Sequence, residues 1–240
     1  MATGHFILLI ETDPSRTETL ATQLVRLGVE PIRVANLADA LQIVKSKEYS
    51  ISGLLVPSEF EAKSLRKTLK SMRRRDPILP AMAYGKIPDP AQRKLLRQAG
   101  VLLSLWDGYD EGVLRFQINR LISGENQNAV RESRRAPVHA PVRIAVGGRE
   151  KQGMLYSISE GGCFIETPRA SMDGAQLRMN FVLEERSFEI EAVVVFANVP
   201  GNLQRPNLPL GMGVQFPDIS PSMQKSIGAF IADRIESFEV

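Results

Sequence analysis

The hydrophobic period of this 240-residue chain changes once along its length. Up to about Leu121, short apolar runs alternate with stretches whose apolar residues recur every three to four positions, the pattern of βα units. Beyond about Val138 the period becomes two, as in half-buried strands. Between them runs Ser123–Ala136, SGENQNAVRESRRA, poor in apolar residues and carrying Gly, Asn and Gln, which reads as an exposed linker. The chain therefore divides into an α/β domain over 1–123, a linker over 124–136 and a β domain over 137–240.

In the first part, strands are expected at Phe6–Ile10, Pro31–Val34, Ile51–Val56, Ile78–Ala83 and Val101–Leu105. Helices are expected after Asp13-Pro14, after Asn36, over Ser58–Arg75, from Asp89-Pro90 to Gly100, and over Glu111–Ile122. Five βα units predict a doubly wound five-stranded parallel sheet, a (βα)5 domain covered on both faces. Ligands of such folds sit at the C-terminal ends of the strands.

Composition removes several function classes. Cys163 is the single cysteine, so no intrachain disulfide forms, and a reducing cytoplasm is the expected setting. With His5 and His139 as the only other soft ligands, no metal site is expected. No apolar run approaches the roughly 20 residues of a membrane span, and MATGHFILLI lacks the basic start of a secretion signal. The formal charge of +3 is too small to argue for nucleic acid. Its distribution is uneven: residues 1–123 hold 18 Lys and Arg against 13 Asp and Glu, and the remainder 12 against 14. Lys63, Arg66, Lys67, Lys70, Arg73, Arg74 and Arg75 share one helix. An acidic partner, RNA or anionic lipid would suit them, but a solvated face whose cations oppose the helix C-terminal dipole is the preferred account.

Over its whole length the first part resembles the receiver domain of bacterial response regulators, through ILLIETDPSR at the first strand and QAGVLLSLWDGYDEGVL at the fifth. A working receiver needs an acidic pair to hold magnesium, an aspartate to take the phosphoryl group, a hydroxyl switch and a lysine; the metal and the lysine stabilise the transferring phosphoryl oxygens. Here the acidic pair aligns with Glu11 and Thr12, with Asp13 as a partial substitute. The acceptor position falls near Leu55 or Val56, the switch at Met82 or Ala83, and the lysine-proline step at Asp107-Gly108. The resemblance thus implies a pseudo-receiver with no phosphoacceptor, serving as a docking or homodimerising surface.

In the second part, strands are expected at Val138–Val146, Gln152–Ile158, Cys163–Glu166, Leu177–Leu183, Phe188–Phe196 and Leu210–Phe216. In the fifth of these, Phe188, Ile190, Ala192, Val194 and Phe196 share one face. Ser220-Pro221 starts a helix with Met223, Ile227, Phe230, Ile231 and Ile235 on one stripe. Six strands and a closing helix predict a small antiparallel barrel.

This half resembles the PilZ domain from about Arg131 to Val240. The family's Arg-x-x-x-Arg motif is met by Arg131-Glu132-Ser133-Arg134-Arg135, followed by APVHAPVRI. Its Asp/Asn-x-Ser-x-x-Gly motif is met by Ser157-Ile158-Ser159-Glu160-Gly161-Gly162, and GMGVQF closes the match. The resemblance implies cyclic di-GMP as ligand, held by Arg131, Arg134, Arg135, Ser157, Ser159, Gly161 and Gly162. Arginines grip phosphates bidentately and reach or stack on guanine. A glycine pair lets backbone approach closely. Ser157 departs from the motif: one hydroxyl replaces a carboxylate or amide against the guanine edge, a loss of about 1 to 3 kcal/mol.

Cys163 aligns with an apolar strand position and is expected to be buried, and His139 to face outward. No nucleophile–base pair or P-loop supports an enzyme. The expected function is a non-enzymatic bacterial signalling regulator that binds cyclic di-GMP and acts on a regulatory protein partner, in motility or adhesion by the family resemblance. The alternative is an interaction scaffold that has lost the ligand.

Overall fold

The structure is a computed structural model describing residues 5–11, 13–123, 134–205 and 208–240. Its chain folds as two compact units, Met1–Ala129 with Phe238–Val240, and Val130–Ser237. Residues 238–240, which the sequence pattern assigns to the second half, thus belong to the first unit.

The first unit runs β1 (His5–Ile10), α1 (Pro14–Arg26), β2 (Val29–Val34), α2 (Leu37–Ser46), β3 (Ile51–Pro57), α3 (Ala62–Arg73), β4 (Ala81–Gly85), α4 (Pro90–Ala99), β5 (Leu103–Trp106) and α5 (Glu111–Ser123). The sheet is parallel with strand order β2-β1-β3-β4-β5, the doubly wound arrangement. Strand alternation builds two cores. Leu8 and Ile10 join Ala40, Leu65, Leu69 and Leu96 from α2, α3 and α4, while Ile7 and Leu9 join Leu20, Leu24, Leu114 and Ile118 from α1 and α5. Side-chain caps set the helix starts. Asp13 accepts from the Ser15 and Arg16 N–H groups, Asn36 from those of Ala38 and Asp39, and Asp89 from that of Gln92. Gly100 ends α4 in the left-handed region at φ 90°.

Two starts in this unit differ from the sequence reading by three residues or more. Helix α3 starts at Ala62 rather than Ser58, because Phe60 N–H closes a turn onto the Pro57 carbonyl and the buried Ser58 hydroxyl donates to the Lys86 carbonyl at 2.6 Å. Strand β4 starts at Ala81 rather than Ile78: Pro80 has no N–H to give to a ladder.

The second unit runs β6 (Ala136–Val146), β7 (Arg149–Ser159), β8 (Gly162–Glu166), β9 (Gln176–Leu183), β10 (Arg186–Val199), β11 (Asn202–Leu203), β12 (Gly211–Gln215) and α6 (Pro221–Glu236). Six antiparallel strands close in the order β10-β12-β8-β7-β6-β9 and back to β10, with the two-residue β11 paired outside the ring. Leu177, Met179, Phe181 and Leu183 point inward from β9, alternating with exposed neighbours. Helix α6 is capped by Ser220, whose hydroxyl accepts from Met223 N–H, and buries Ile227, Ile231 and Ile235 against the barrel core. Cys163 is buried in that core and His139 is exposed.

Phe196 corrects the sequence reading. A register shift between Val194 and Phe196 breaks the alternation, so Phe188, Ile190, Ala192 and Val194 enter the barrel core but Phe196 lies outside it, against Phe164 with ring centroids 5.8 Å apart.

In the first unit, Gly53 sits under Leu121, and a Cβ there would fall 2.6 Å from Leu121 Cγ. Gly53→Ala is expected to destabilise the unit by about 1–3 kcal/mol through overpacking, and Leu121→Ala by about 2–5 kcal/mol through a cavity. The double variant is expected to lose less than the sum, because the new methyl enters the space Leu121 leaves. A denaturant-unfolding double-mutant cycle checks this; strict additivity would mean the two positions are not in contact.

Candidate functional site

The crevice of a doubly wound sheet lies where the strand order reverses, here at the C-terminal ends of β1 and β3. Its charged side chains are engaged with one another. Glu11 pairs with Arg33 at 2.9 Å, and Arg33 also pairs with Glu18. Asp13 is the α1 cap; hydrogen bonds from the Ser15 hydroxyl and from the Arg16 and Ser15 N–H groups hold its carboxyl below the usual range. Strand β3 ends in Leu55, Val56 and Pro57, all buried, and Met82 and Ala83 of β4 are fully buried. Gly108, beside Asp107, takes φ +92°. A magnesium ion needs several free oxygen ligands. With Glu11 ion-paired and Asp13 capping a helix, these residues do not fit one; Thr12 lies outside the described residues. Among the described residues no group of three or more His, Cys, Asp or Glu could hold a metal.

The basic helix is a solvated face for the most part. Lys63, Arg66, Lys67, Lys70, Arg74 and Arg75 are exposed, while half-buried Arg73 donates to the Leu79 carbonyl at 3.1 Å and the Gly100 carbonyl at 3.0 Å. Arg66, Lys70, Arg73 and Arg74 line a shallow cavity of about 370 Å³ with Gln98 and Gly100. Cations gathered where α3 and α4 end answer the negative ends of the two helices.

In the second unit, Arg134 and Arg135 lead directly into β6, with Arg134 exposed and Arg135 half-buried. Arg131 lies outside the described residues. The first rungs of the β6–β7 ladder set Ala136 opposite Ile158 and Pro137 opposite Ser157, so the arginines enter beside the second motif. The charge of Arg135 is felt there: burial pushes the Cys163 thiol on β8 up to about 12, and the Arg135 cation pulls the other way.

Ser157 and Ser159 flank inward-facing Ile158 and so lie on the outer face of the barrel. They are only 4% and 2% exposed. A ligand approaching this face therefore meets the arginines and the turn backbone before either hydroxyl. The Ser159 hydroxyl already donates to the Gly162 carbonyl at 3.0 Å. The two glycines differ in kind. A Cβ on Gly161 would meet nothing within 4 Å, whereas one on Gly162 would fall 2.3 Å from the Val214 carbonyl oxygen. The space at Gly162 is thus used by strand β12, and the space at Gly161 is open.

The cross-strand register extends this face beyond the motif residues. Pro137 stands opposite Ser157, Ser157 opposite Phe164, Phe164 opposite Gly213 and Gly213 opposite Phe196. Tyr156 meets Phe164 edge-on, with centroids 5.8 Å apart. At the far end the Arg205 guanidinium lies 5.6 Å above the Phe196 ring. Fully buried Asn198 fixes that loop, donating to the Arg205 carbonyl and accepting from the Arg205 N–H at 2.9 Å. Tyr156, Phe164 and Phe196 so form a line of rings outside the barrel core, the first two only 5% and 2% exposed, with Arg205 at the Phe196 end. Sequence reasoning missed it because Phe196 reads as a core residue until the β10 register shift is known.

Residues 129–233 match the PilZ domain family model. No curated protein matches the chain. Among solved structures, the inhibitor of motility MotI/DgrA of Bacillus subtilis is 24% identical, with a TM-score of 0.38, over 45% of this chain and 52% of that one. The chain thus spans about half the length of that protein. The receiver domain of a Pseudomonas aeruginosa sensor histidine kinase is 20% identical, with a TM-score of 0.43, over 50% of this chain and 98% of its own. A CheY-like receiver domain protein of Methanospirillum hungatei is 14% identical, with a TM-score of 0.43, over 52% and 99%. The match to the PilZ domain model thus falls on the six-stranded barrel and its closing helix, and a doubly wound parallel α/β unit precedes it.

Proposed function

We propose that this chain is a non-enzymatic bacterial signalling regulator that binds cyclic di-GMP and passes the signal to a regulatory protein partner. The carrying observation is the entry of Arg134 and Arg135 into β6 opposite the Ser157–Gly162 stretch. Guanidinium groups on that arm suit the two phosphates and the guanine edges of a cyclic dinucleotide. Arg131 is assigned to the same arm. Gly161, with open space in front of its backbone, admits the ligand at the turn, while Ser157, Ser159 and Gly162 shape the strand beneath. The setting is the cytoplasm, and the pathway is control of motility or adhesion. Among the described residues no helix is long and apolar enough to cross a membrane. The first unit serves as a docking or homodimerising surface in this reading, not as a phosphoacceptor.

One observation favours a second reading, an interaction scaffold without ligand. Ser157 replaces the acidic or amide residue of the motif and is nearly buried, and the Ser159 hydroxyl is bonded within its own turn.

Calorimetric titration with cyclic di-GMP, with GTP as control, separates the two. Micromolar or tighter binding is expected, and Arg135→Ala is expected to weaken it at least about tenfold, or about 1.4 kcal/mol. No heat at millimolar ligand would leave the scaffold reading standing. Ser157→Asp is expected to tighten binding by about tenfold to a hundredfold, the worth of one good hydrogen bond to the guanine edge. An unchanged affinity would show that this position does not touch the base. Gly162→Ala acts differently: its methyl meets the Val214 carbonyl, so unfolding stability is expected to fall by about 1–3 kcal/mol even without ligand. A Gly162→Ala protein of normal stability would contradict the close strand contact.

A further inference from the structure

Helix α3 buries Ala62, Leu65, Leu69 and Met72, and at helical spacing Lys63, Arg66, Lys67, Lys70 and Arg74 fall together on its open side, all exposed. Among the described residues none of these five makes an ion pair. The acids nearest in sequence are used elsewhere. Glu61 accepts from the Ser64 hydroxyl at 2.6 Å, and Asp76 from the Ile78 N–H at 3.2 Å.

Four cations converge where α3 and α4 end: Arg66, Lys70, Arg73 and Arg74 line the shallow cavity there. Arg73 is its fixed member. Two of its nitrogens are spent on the Leu79 and Gly100 carbonyls, and Nη1 lies in the space that a Gly100 side chain would take. Burial holds the Arg73 pKa below its ordinary value. The helix ends answer only part of this charge. Two C-termini present roughly half a negative charge each, which leaves a surplus of about three positive charges. Two exposed apolar side chains stand beside the cavity in the chain. Ile78, next to the Leu79 whose carbonyl Arg73 holds, is 51% exposed, and Leu102, two residues past Gly100, is 37% exposed.

We infer that this face of the first unit binds an anionic membrane surface: the cavity takes the phosphate of a lipid headgroup, Lys63 and Lys67 meet neighbouring headgroups, and Ile78 and Leu102 enter the boundary layer. A phosphate in the cavity answers the surplus charge and suits the forked donors of Arg66 and Arg74. Lysines on flexible stems suit a diffuse layer of negative charge. Apolar residues beside cations add area that leaves water at the headgroup boundary. Nucleic acid offers the same phosphates, but its single strands are held on stacking rings, and no ring lines this cavity. An apolar pair also gains nothing from a phosphate backbone. The face lies within the first unit and stands whether or not the barrel binds cyclic di-GMP.

The test is co-sedimentation of the full chain with vesicles of phosphatidylcholine alone and of phosphatidylcholine mixed with phosphatidylglycerol. Binding to the mixed vesicles is expected to be at least about tenfold tighter than to the neutral ones, and to weaken as salt rises. Lys70→Glu with Arg74→Glu is expected to weaken it at least about tenfold. The same charge reversal at exposed positions of the β6–β7 hairpin, Arg143→Glu with Arg149→Glu, is expected to leave most of it in place. Ile78→Ser with Leu102→Ser is expected to weaken binding severalfold at high salt as well as low, because apolar burial is not screened. Thermal transitions show which variants are folded, and where the serine pair is not, the two charge-reversed pairs decide. No binding to mixed vesicles, equal binding to both kinds, or equal loss in the two charge-reversed variants overturns the inference. So does release from vesicles by millimolar inorganic phosphate at constant ionic strength, which would mark a site for a free anion. So does a labelled RNA oligonucleotide that loses its affinity in the Lys70→Glu, Arg74→Glu variant while vesicle binding persists.

Discussion

The second unit depends on how closely β12 can lie to its neighbours. Three backbone positions permit it. A Cβ on Gly162 would fall 2.3 Å from the Val214 carbonyl, one on Gly211 would fall 2.1 Å from the Ile165 carbonyl, and one on Gly213 would fall 2.0 Å from the Phe196 ring. The first two contacts are with backbone, which cannot step aside as a side-chain tip can. They bring β8 and β12 together, and with that pair the ring of six strands closes without an open edge. The third lets Phe196 lie across β12 and reach Phe164. One set of missing side chains therefore both seals the barrel and builds the outer aromatic line.

The first unit shows the opposite use of the same economy. At the end of β1, groups that could manage a phosphoryl charge are committed to holding the fold. Asp13 starts α1, and Glu11 joins β1 to β2 through Arg33. The Tyr84 hydroxyl donates to the Ile10 carbonyl at 2.6 Å, and the Ser58 hydroxyl to the Lys86 carbonyl. Each of these polar groups would otherwise need a ligand or water. The fold does not depend on what this crevice holds, because both of its cores lie on the faces of the sheet and not at its ends.

Most of this architecture was legible in the sequence for a definite reason. Period and punctuation are local, and Asp13, Asn36, Asp89, Gly100 and Ser220 each act within one turn of their own position. The apolar runs at Ile7–Ile10 and Leu54–Val56 are buried on both faces, which a continuous hydrophobic string states directly. What could not be read depends on partners distant in sequence. The shift at Val194–Phe196 is set by pairing with β12, some twenty residues later, and it turns a predicted core ring into a surface one. The two motif serines could be named from spacing, but their burial and the hydrogen bond from Ser159 to the Gly162 carbonyl arise from the folded turn. Residues 238–240 are the plainest case. Three residues carry no period, so nothing local says that they leave the barrel unit and complete the parallel sheet.

The turn between β7 and β8 joins the outer face of the barrel to helix α6. Phe216 N–H donates to the Gly161 carbonyl at 3.0 Å, tying the turn to the strand that precedes α6. Glu160, next to it, lies over the helix at Gly228, where a Cβ would come within 2.7 Å of its Oε1. Glycine inside a helix costs about 1 kcal/mol against alanine, and here the missing methyl makes room for that carboxylate. The turn is thus joined to the strand before α6 by one backbone hydrogen bond, and Glu160 occupies the space over Gly228 of the helix. Packed elements of this kind move as bodies instead of deforming continuously. The short turn between β7 and β8 is, by its contacts, also a joint of the barrel unit, binding the end of β12 to the strand pair β7–β8.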